Sequence, residues 1–173
     1  MGISINSLQE GCCENLKKYN IIQLDVIKKD KTLASFDNII KCNDKFIFIE
    51  EKSFLLDFIH KLTNFHGEIN DSILKELHSK SKEEKQKIMY KVLFEKTISI
   101  DDKMKGTLIE LLNDETKEKI KNSNLFYLYC EIEELKNFSR ILTTCLNFKK
   151  GKKIISCKNI NKIMCKEALK ELK

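Results

Sequence analysis

The sequence predicts an α/β (α+β) fold, with an N-terminal helix and a three-stranded meander leading into a central mixed sheet flanked by helices. A helical insertion precedes the fourth strand. Three observations predict this architecture. Runs rich in β-branched and aromatic residues recur at 21–27, 33–40, 45–52 and 125–132, the composition that packs well on a pleated surface. The two middle runs are apolar on both alternating faces, so the sheet needs a cover on each side. Between the third and fourth runs, residues 66–122 carry apolar side chains at helical spacing. At 173 residues the chain is long enough to bury a core as a single domain spanning 1–173.

Taken in order, residues 6–19 read as the opening helix, with Leu8, Cys12 and Leu16 along one side. Ile21 to Ile27 is a strand, Lys28 to Thr32 a charged turn, and Leu33 to Ile40 the second strand. Asn43-Asp44 turns the chain into a third strand, Lys45 to Lys52. Ser53 to Asn64 is an amphipathic helix carrying Leu55, Ile59 and Leu62, broken by Gly67. Helical spacing resumes at Ile69 and runs to about Lys96, with a charged middle at Lys80–Lys87 that invites a kink or loop. Ser99 reads as an N-cap for one or two helices over 101–121. Leu125 to Ile132 is the fourth strand, Glu133 to Phe148 a helix, Ile154 to Cys157 a short strand, and Asn161 to Lys173 a closing helix.

Apolar content of 42% and charged content of 34% describe a globular chain rather than a disordered one. The net charge of +6 points to an anionic partner. Its composition tempers that inference, because every cation except Arg140 is a lysine and proline and tryptophan are absent. Such a bias also follows from AT-rich coding. Seven cysteines without a C-x-x-C pair, and no secretory leader, predict reduced thiols and a cytoplasmic location. No stretch approaches the ~18 apolar residues a membrane helix needs, so no membrane partner is expected.

Chemistry enters at residues 36–52. Folding this stretch about Asn43-Asp44 places Ile40 against Ile47, Ile39 against Phe48, and Asp37 against Glu50. Opposed side chains on antiparallel strands lie about 5 Å apart at Cβ, and like charges there repel. Lys52 shares their face, whereas Glu51 points the other way. Two hard carboxylate oxygens suit Mg²⁺ or Mn²⁺, and a neighbouring ammonium can steady a developing anion or place an attacking water. The Glu-x-Lys triplet alone carries no weight, since it also begins at Glu83, Glu115, Glu134 and Glu171. Glu50 is distinguished by ending an apolar strand with an aspartate turned to face it. A solvated rim in which Lys52 neutralises two acids accounts for the same residues. A slip of one residue in register would send Asp37 to the opposite face.

A helix and a meander, with Asp37 in the second strand and Glu50-Glu51-Lys52 ending the third, resemble the PD-(D/E)xK (restriction-endonuclease-like) nuclease superfamily. The resemblance covers roughly residues 6–65, with 125–132 as the next strand of that core. It implies a metal-dependent hydrolase of phosphodiester bonds, more readily of DNA than of RNA. Asp37 and Glu50 would hold the metal and Lys52 would assist catalysis, with Glu14 or Glu10 from the first helix completing the set. Phe36 stands where that motif has proline, and the helical insertion is longer than its minimal core. Enzymes of this class often act as dimers, so a homodimer is an open expectation, although no stretch marks an interface. The alternative is a non-catalytic α/β module that meets nucleic acid or protein through lysine-rich loops.

Other residues carry weaker signals. His60 and His66 flank the helix after the candidate site and are more simply helix-end histidines, and His78 lies in a charged segment. Cys12 or Cys13 with Cys145, Cys157 and Cys165 superficially echoes an iron–sulfur ligand set, but the late spacings are wide for one. Phe126, Tyr127 and Tyr129 read as core, and Lys149–Lys153 as either a solvated turn or a phosphate-contact loop. No P-loop, G-x-G-x-x-G or G-x-S-x-G motif is present.

Overall fold

Asn43 and Asp44 do turn the chain between two apolar strands, and the sheet grows from that hairpin. A computed structural model describes residues 4–11, 13–23, 36–97, 103, 118–119, 121–146 and 152–170. Strands β1 (Asn38–Lys41) and β2 (Phe46–Glu51) pair antiparallel. The register is Asn38 with Ile49, Ile39 with Phe48 and Ile40 with Ile47, and a Cys42 N–H to Lys45 C=O bond of 2.9 Å closes the turn. Strand β3 (Asn124–Tyr129) adds parallel to β2, and β4 (Lys152–Ser156) parallel to β3, so the order is β1-β2-β3-β4. The meander's first strand is represented by Ile22, which exchanges two backbone hydrogen bonds with Ile39. The rest of that strand, the charged turn, the Ser99 cap and most of 101–121 and 149–153 lie outside the described residues.

Joining two parallel neighbours needs a crossover, and the helical insertion supplies it. Helices α1 (Phe54–Thr63), α2 (Asp71–Ser79) and α3 (Lys82–Thr97) follow β2, and α4 (Lys136–Leu146) follows β3. The helical stretch expected over 69–96 is two helices, parted at Lys80–Ser81 where its charged middle begins. Lys80 is extended at ψ 146°, and the Ser81 hydroxyl accepts from the Glu84 N–H to start α3. Helix α1 ends on Asn64, left-handed at φ 55°, before Gly67 is reached.

The sheet's two faces are covered differently. On one, Ile39, Phe48, Tyr127 and Tyr129 pack against Phe54, Phe58, Met89, Val92, Phe138 and Leu142 from the helices. On the other, Ile40, Ile47, Ile49, Phe126 and Leu128 meet Leu16, Tyr19, Ile160 and Ala168, which belong to no α-helix. The expected N-terminal helix is instead two 3₁₀ turns, Ile5–Leu8 and Glu14–Lys18, and the expected C-terminal helix is Cys157–Lys162 and Lys166–Ala168. Such short turns can follow the sheet surface while sending single apolar residues into it. Disulfides Cys13–Cys157 and Cys42–Cys165 fasten this cover. The expectation of reduced thiols is therefore overturned: among the described side chains, all five cysteines, Cys13, Cys42, Cys130, Cys157 and Cys165, are disulfide-bonded. An iron–sulfur set drawing on Cys157 and Cys165 falls with it, since those sulfurs are already bonded.

Candidate active site

Extending the hairpin register by one pair puts Asp37, at the bend before β1, opposite Glu50 near the end of β2. Strand alternation turns both toward the helix-covered face, and Lys52 joins them. Its Nζ lies 2.8 Å from Glu50 Oε1, while its backbone N–H donates to Leu128 C=O and holds the β2 end against β3. The three residues singled out on the hairpin thus converge.

Their environments differ. The Glu50 side chain is 1% exposed, and Asp37 is 34% exposed at the rim. Among the described residues, Glu50 Oε2 is buried with no hydrogen-bond partner. Asp37 Oδ2 accepts from the Glu51 N–H at 3.3 Å. Burial, reinforced by the charge of Glu50, pushes the Asp37 carboxyl up to about 6. For Lys52, burial works against the charge, but the bond to Glu50 and the charges of Glu50, Glu10 and Asp37 outweigh it and raise its pKa. The ammonium therefore stays charged at neutral pH.

Glu51 points to the opposite face, as strand alternation requires, and has a structural task there. Asn38 Nδ2 donates to one carboxylate oxygen and the Gly11 N–H to the other, both at 3.0 Å. That pair ties the N-terminal segment to the sheet.

Glu14 does not reach the group. It sits on an exposed turn, paired with Lys17 at 2.8 Å. Because the N-terminal segment is 3₁₀ rather than α-helical, Glu10 is the acid that approaches instead, 3.9 Å from Lys52 Nζ and 4.0 Å from Lys96 Nζ. Lys96 also binds Asp57 at 2.8 Å, and Ser53 donates to the same carboxylate at 3.0 Å. The rim is thus a chain of alternating charge from Glu50 through Lys52, Glu10 and Lys96 to Asp57.

Lys103 was not anticipated. Its ammonium contacts Glu50 Oε1 and lies 3.8 Å from Asp37 Oδ1, so it bridges the two acids. It comes from the helical insertion, more than fifty residues away in sequence from Glu50, and no local spacing marks it. Among the described residues no three His, Cys, Asp or Glu side chains are gathered as a metal would need. The acids form a pair, with Lys103 at their shared side. The donor set still suits a hard divalent cation, because among the described residues Glu50 Oε2 is buried without a hydrogen-bond partner and Asp37 Oδ1 lies 3.8 Å from Lys103 Nζ. His60 and His66 meet as tilted rings with centroids 4.5 Å apart, and burial lowers the pKa of His60. Neither is among the contacts of the carboxylate pair.

No family model matches the chain, and no curated protein or solved structure is detectably similar to it. Among the described residues no helix is long and apolar enough to cross a membrane.

Proposed function

We propose that the chain is a metal-dependent nuclease of the PD-(D/E)xK type, hydrolysing phosphodiester bonds of nucleic acid, more readily DNA. The observation that carries this reading is the convergence of Asp37, Glu50 and Lys52 at the C-terminal end of β2, with one buried Glu50 oxygen unpartnered. Asp37 and Glu50 would hold Mg²⁺ or Mn²⁺, which when bound supplies Lewis acidity toward a phosphoryl oxygen and lowers the pKa of bound water. Lys52 stays protonated and would orient the attacking water or offset the charge growing on the phosphate. Glu10, rather than Glu14, stands beside Lys52 to fix its position.

One observation favours a second reading. Lys103 and Lys52 together neutralise Glu50 within the chain itself, as they would in a non-catalytic module whose acids are structural. The two readings separate on Mg²⁺-dependent cleavage of plasmid and single-stranded DNA. The nuclease reading expects cleavage by the wild type, abolished by EDTA and reduced at least ~100-fold in Lys52→Ala, the range a lost general catalyst costs. Equal background in both proteins leaves the binding module. A cytoplasmic setting loses the support of free thiols, and the paired cysteines fit an oxidising compartment better.

A further inference from the structure

The end of the sheet that bears the carboxylate pair also carries a polar concavity. Strands β2, β3 and β4 run parallel, so Glu51, Tyr129 and Ser156 sit at their C-terminal ends. That is the end at which open parallel sheets take ligands. Pairing of Glu50 with Tyr127 and of Tyr127 with Ile154 puts these residues, and Tyr129 and Ser156 two positions on, on one face. The face is the helix-covered one that also bears Asp37 and Glu50.

There a cleft of about 420 Å³ is lined by Tyr129, Lys136, Ser139, Arg140, Ser156 and Lys162, with Ile154 as an apolar wall. Lys136, Ser139 and Arg140 fall at i, i+3 and i+4 on α4 and so share one side of that helix. The two serines are each 5% exposed, and the Ser139 side chain is hydrogen-bonded to Tyr129. Asn159 Nδ2 donates to Ser156 Oγ at 3.1 Å, which fixes that hydroxyl. Among the described residues the lining holds three cations and one acid, Glu131, whose carboxylate accepts from the Tyr129 hydroxyl at 3.4 Å. Outside the cleft, Glu133 pairs with Lys136 at 3.1 Å between two largely exposed side chains, a contact water and salt weaken.

A guanidinium, two ammonium groups and buried hydroxyls beside an apolar wall match a phosphate carrying an organic group. Arg140, the only arginine in the chain, supplies the planar fork suited to two phosphate oxygens. The cleft lies two strand spacings from β2, about 10 Å. We propose that it binds a backbone phosphate of a nucleic-acid strand, one or two nucleotides from the phosphate presented to Asp37 and Glu50. The position of that strand rests on the nuclease reading, whereas the anion site itself does not.

The test is fluorescence anisotropy with a short single-stranded DNA in EDTA, where hydrolysis plays no part. Arg140→Gln should weaken binding about tenfold, as expected for loss of a charge-assisted bond. It should also make the salt dependence shallower by about one phosphate contact, and Lys162→Gln should act in the same direction. Arg140→Lys should recover part of the affinity, which a merely misfolded variant would not. Inorganic phosphate and a free mononucleotide serve as competitors, each expected to bind far more weakly than the strand. Wild-type affinity in both glutamine variants overturns the proposal. So does equal affinity for mononucleotide and strand, which would make the cleft a site for a small phosphorylated molecule. Arg140-dependent binding by a protein that never cleaves would retain the cleft and remove the nuclease reading. Lys52-dependent cleavage with no effect of Arg140 on strand binding would do the reverse.

Discussion

An ammonium between two carboxylates and a divalent ion between the same two carboxylates answer the same electrostatic demand, so at this site they compete. Lys103 bridges Asp37 and Glu50, and any cation drawn to the pair must displace it or share it. Lys103→Met keeps the side-chain length and removes the charge. Among the described residues Glu50 then retains Lys52, and breaking a partly buried pair of this kind should destabilise the cation-free protein by about 2 kcal/mol. Millimolar Mg²⁺ or Mn²⁺ should restore that loss, and the ion should stabilise the variant more than the wild type by mass action. Thermal melts with and without the ion check it. A variant that melts low and is indifferent to both ions would show that the pair does not hold a metal.

Asp37 carries the matching pH signature. Its folded-state pKa of about 6 exceeds the ordinary 3.8, so the folded protein holds this proton more tightly than the unfolded chain does. Below 3.8 both states are protonated and the group is neutral to stability. As pH rises toward and past 6, its charge in the folded state becomes a cost. The full shift corresponds to at most ~3 kcal/mol, and screening at the rim reduces it to about 1 kcal/mol. Asp37→Asn keeps an acceptor for the Glu51 N–H and removes the charge. In EDTA the variant should be about 1 kcal/mol more stable than wild type at pH 7.5 and equal to it at pH 3.5, by urea denaturation. A constant difference across that range would place the raised pKa elsewhere.

At the scale of elements, what could be read from the sequence depended on whether a segment's partner was local. Ile39, Ile40, Ile47 and Phe48 lie within ten residues of each other, and one turn at Asn43-Asp44 sets their register. The opposition of Asp37 to Glu50 followed from it. Helix α1 declared itself by the apolar stripe Leu55, Ile59 and Leu62, and the start of the charged Lys80–Lys87 stretch marked where α2 and α3 part. The terminal segments misled because apolar residues such as Leu8 and Leu16 satisfy helical spacing as well as they satisfy 3₁₀ turns laid on a sheet. Their actual partners, Cys157 for Cys13 and Cys165 for Cys42, are 144 and 123 residues away. Lys103 escaped for the same reason, since its meaning lies in Glu50 and not in its neighbours. The Arg140 cleft was also invisible, because β3, α4 and β4 each contribute single polar residues that look like ordinary surface.

At the scale of the molecule, the sheet has one face protected by helix packing and one held by cross-links. The helix-covered face buries large aromatic and aliphatic side chains from α1, α3 and α4. The other rests on two chain ends in 3₁₀ turns, which carry few cooperative backbone bonds of their own. The ends do pair, through Asn20 N–H to Ala168 C=O at 2.7 Å and Lys170 N–H to Lys18 C=O at 3.0 Å. Both cross-links join the amino-terminal third to the last twenty residues, closing loops of well over a hundred residues. Each such loop is worth about 4–5 kcal/mol in the chain-entropy description, and two that close nearly the same loop add to less than double. A domain of this size has only ~5–15 kcal/mol in total. Reduction should therefore uncover Ile47, Ile49, Phe126 and Leu128 before the helix-covered face opens. Hydrogen exchange in a strong reductant should show the 13–20 and 157–170 backbone exchanging quickly while α1 and α4 remain protected. Cys157→Ser with Cys165→Ser should reproduce that pattern without reductant and lower the unfolding free energy, read from urea melts, by about 5 kcal/mol. If the reduced protein exchanges uniformly, or keeps its full midpoint, the cysteine pairs are incidental and the apolar contacts of Leu16, Tyr19 and Ile160 suffice to hold the cover.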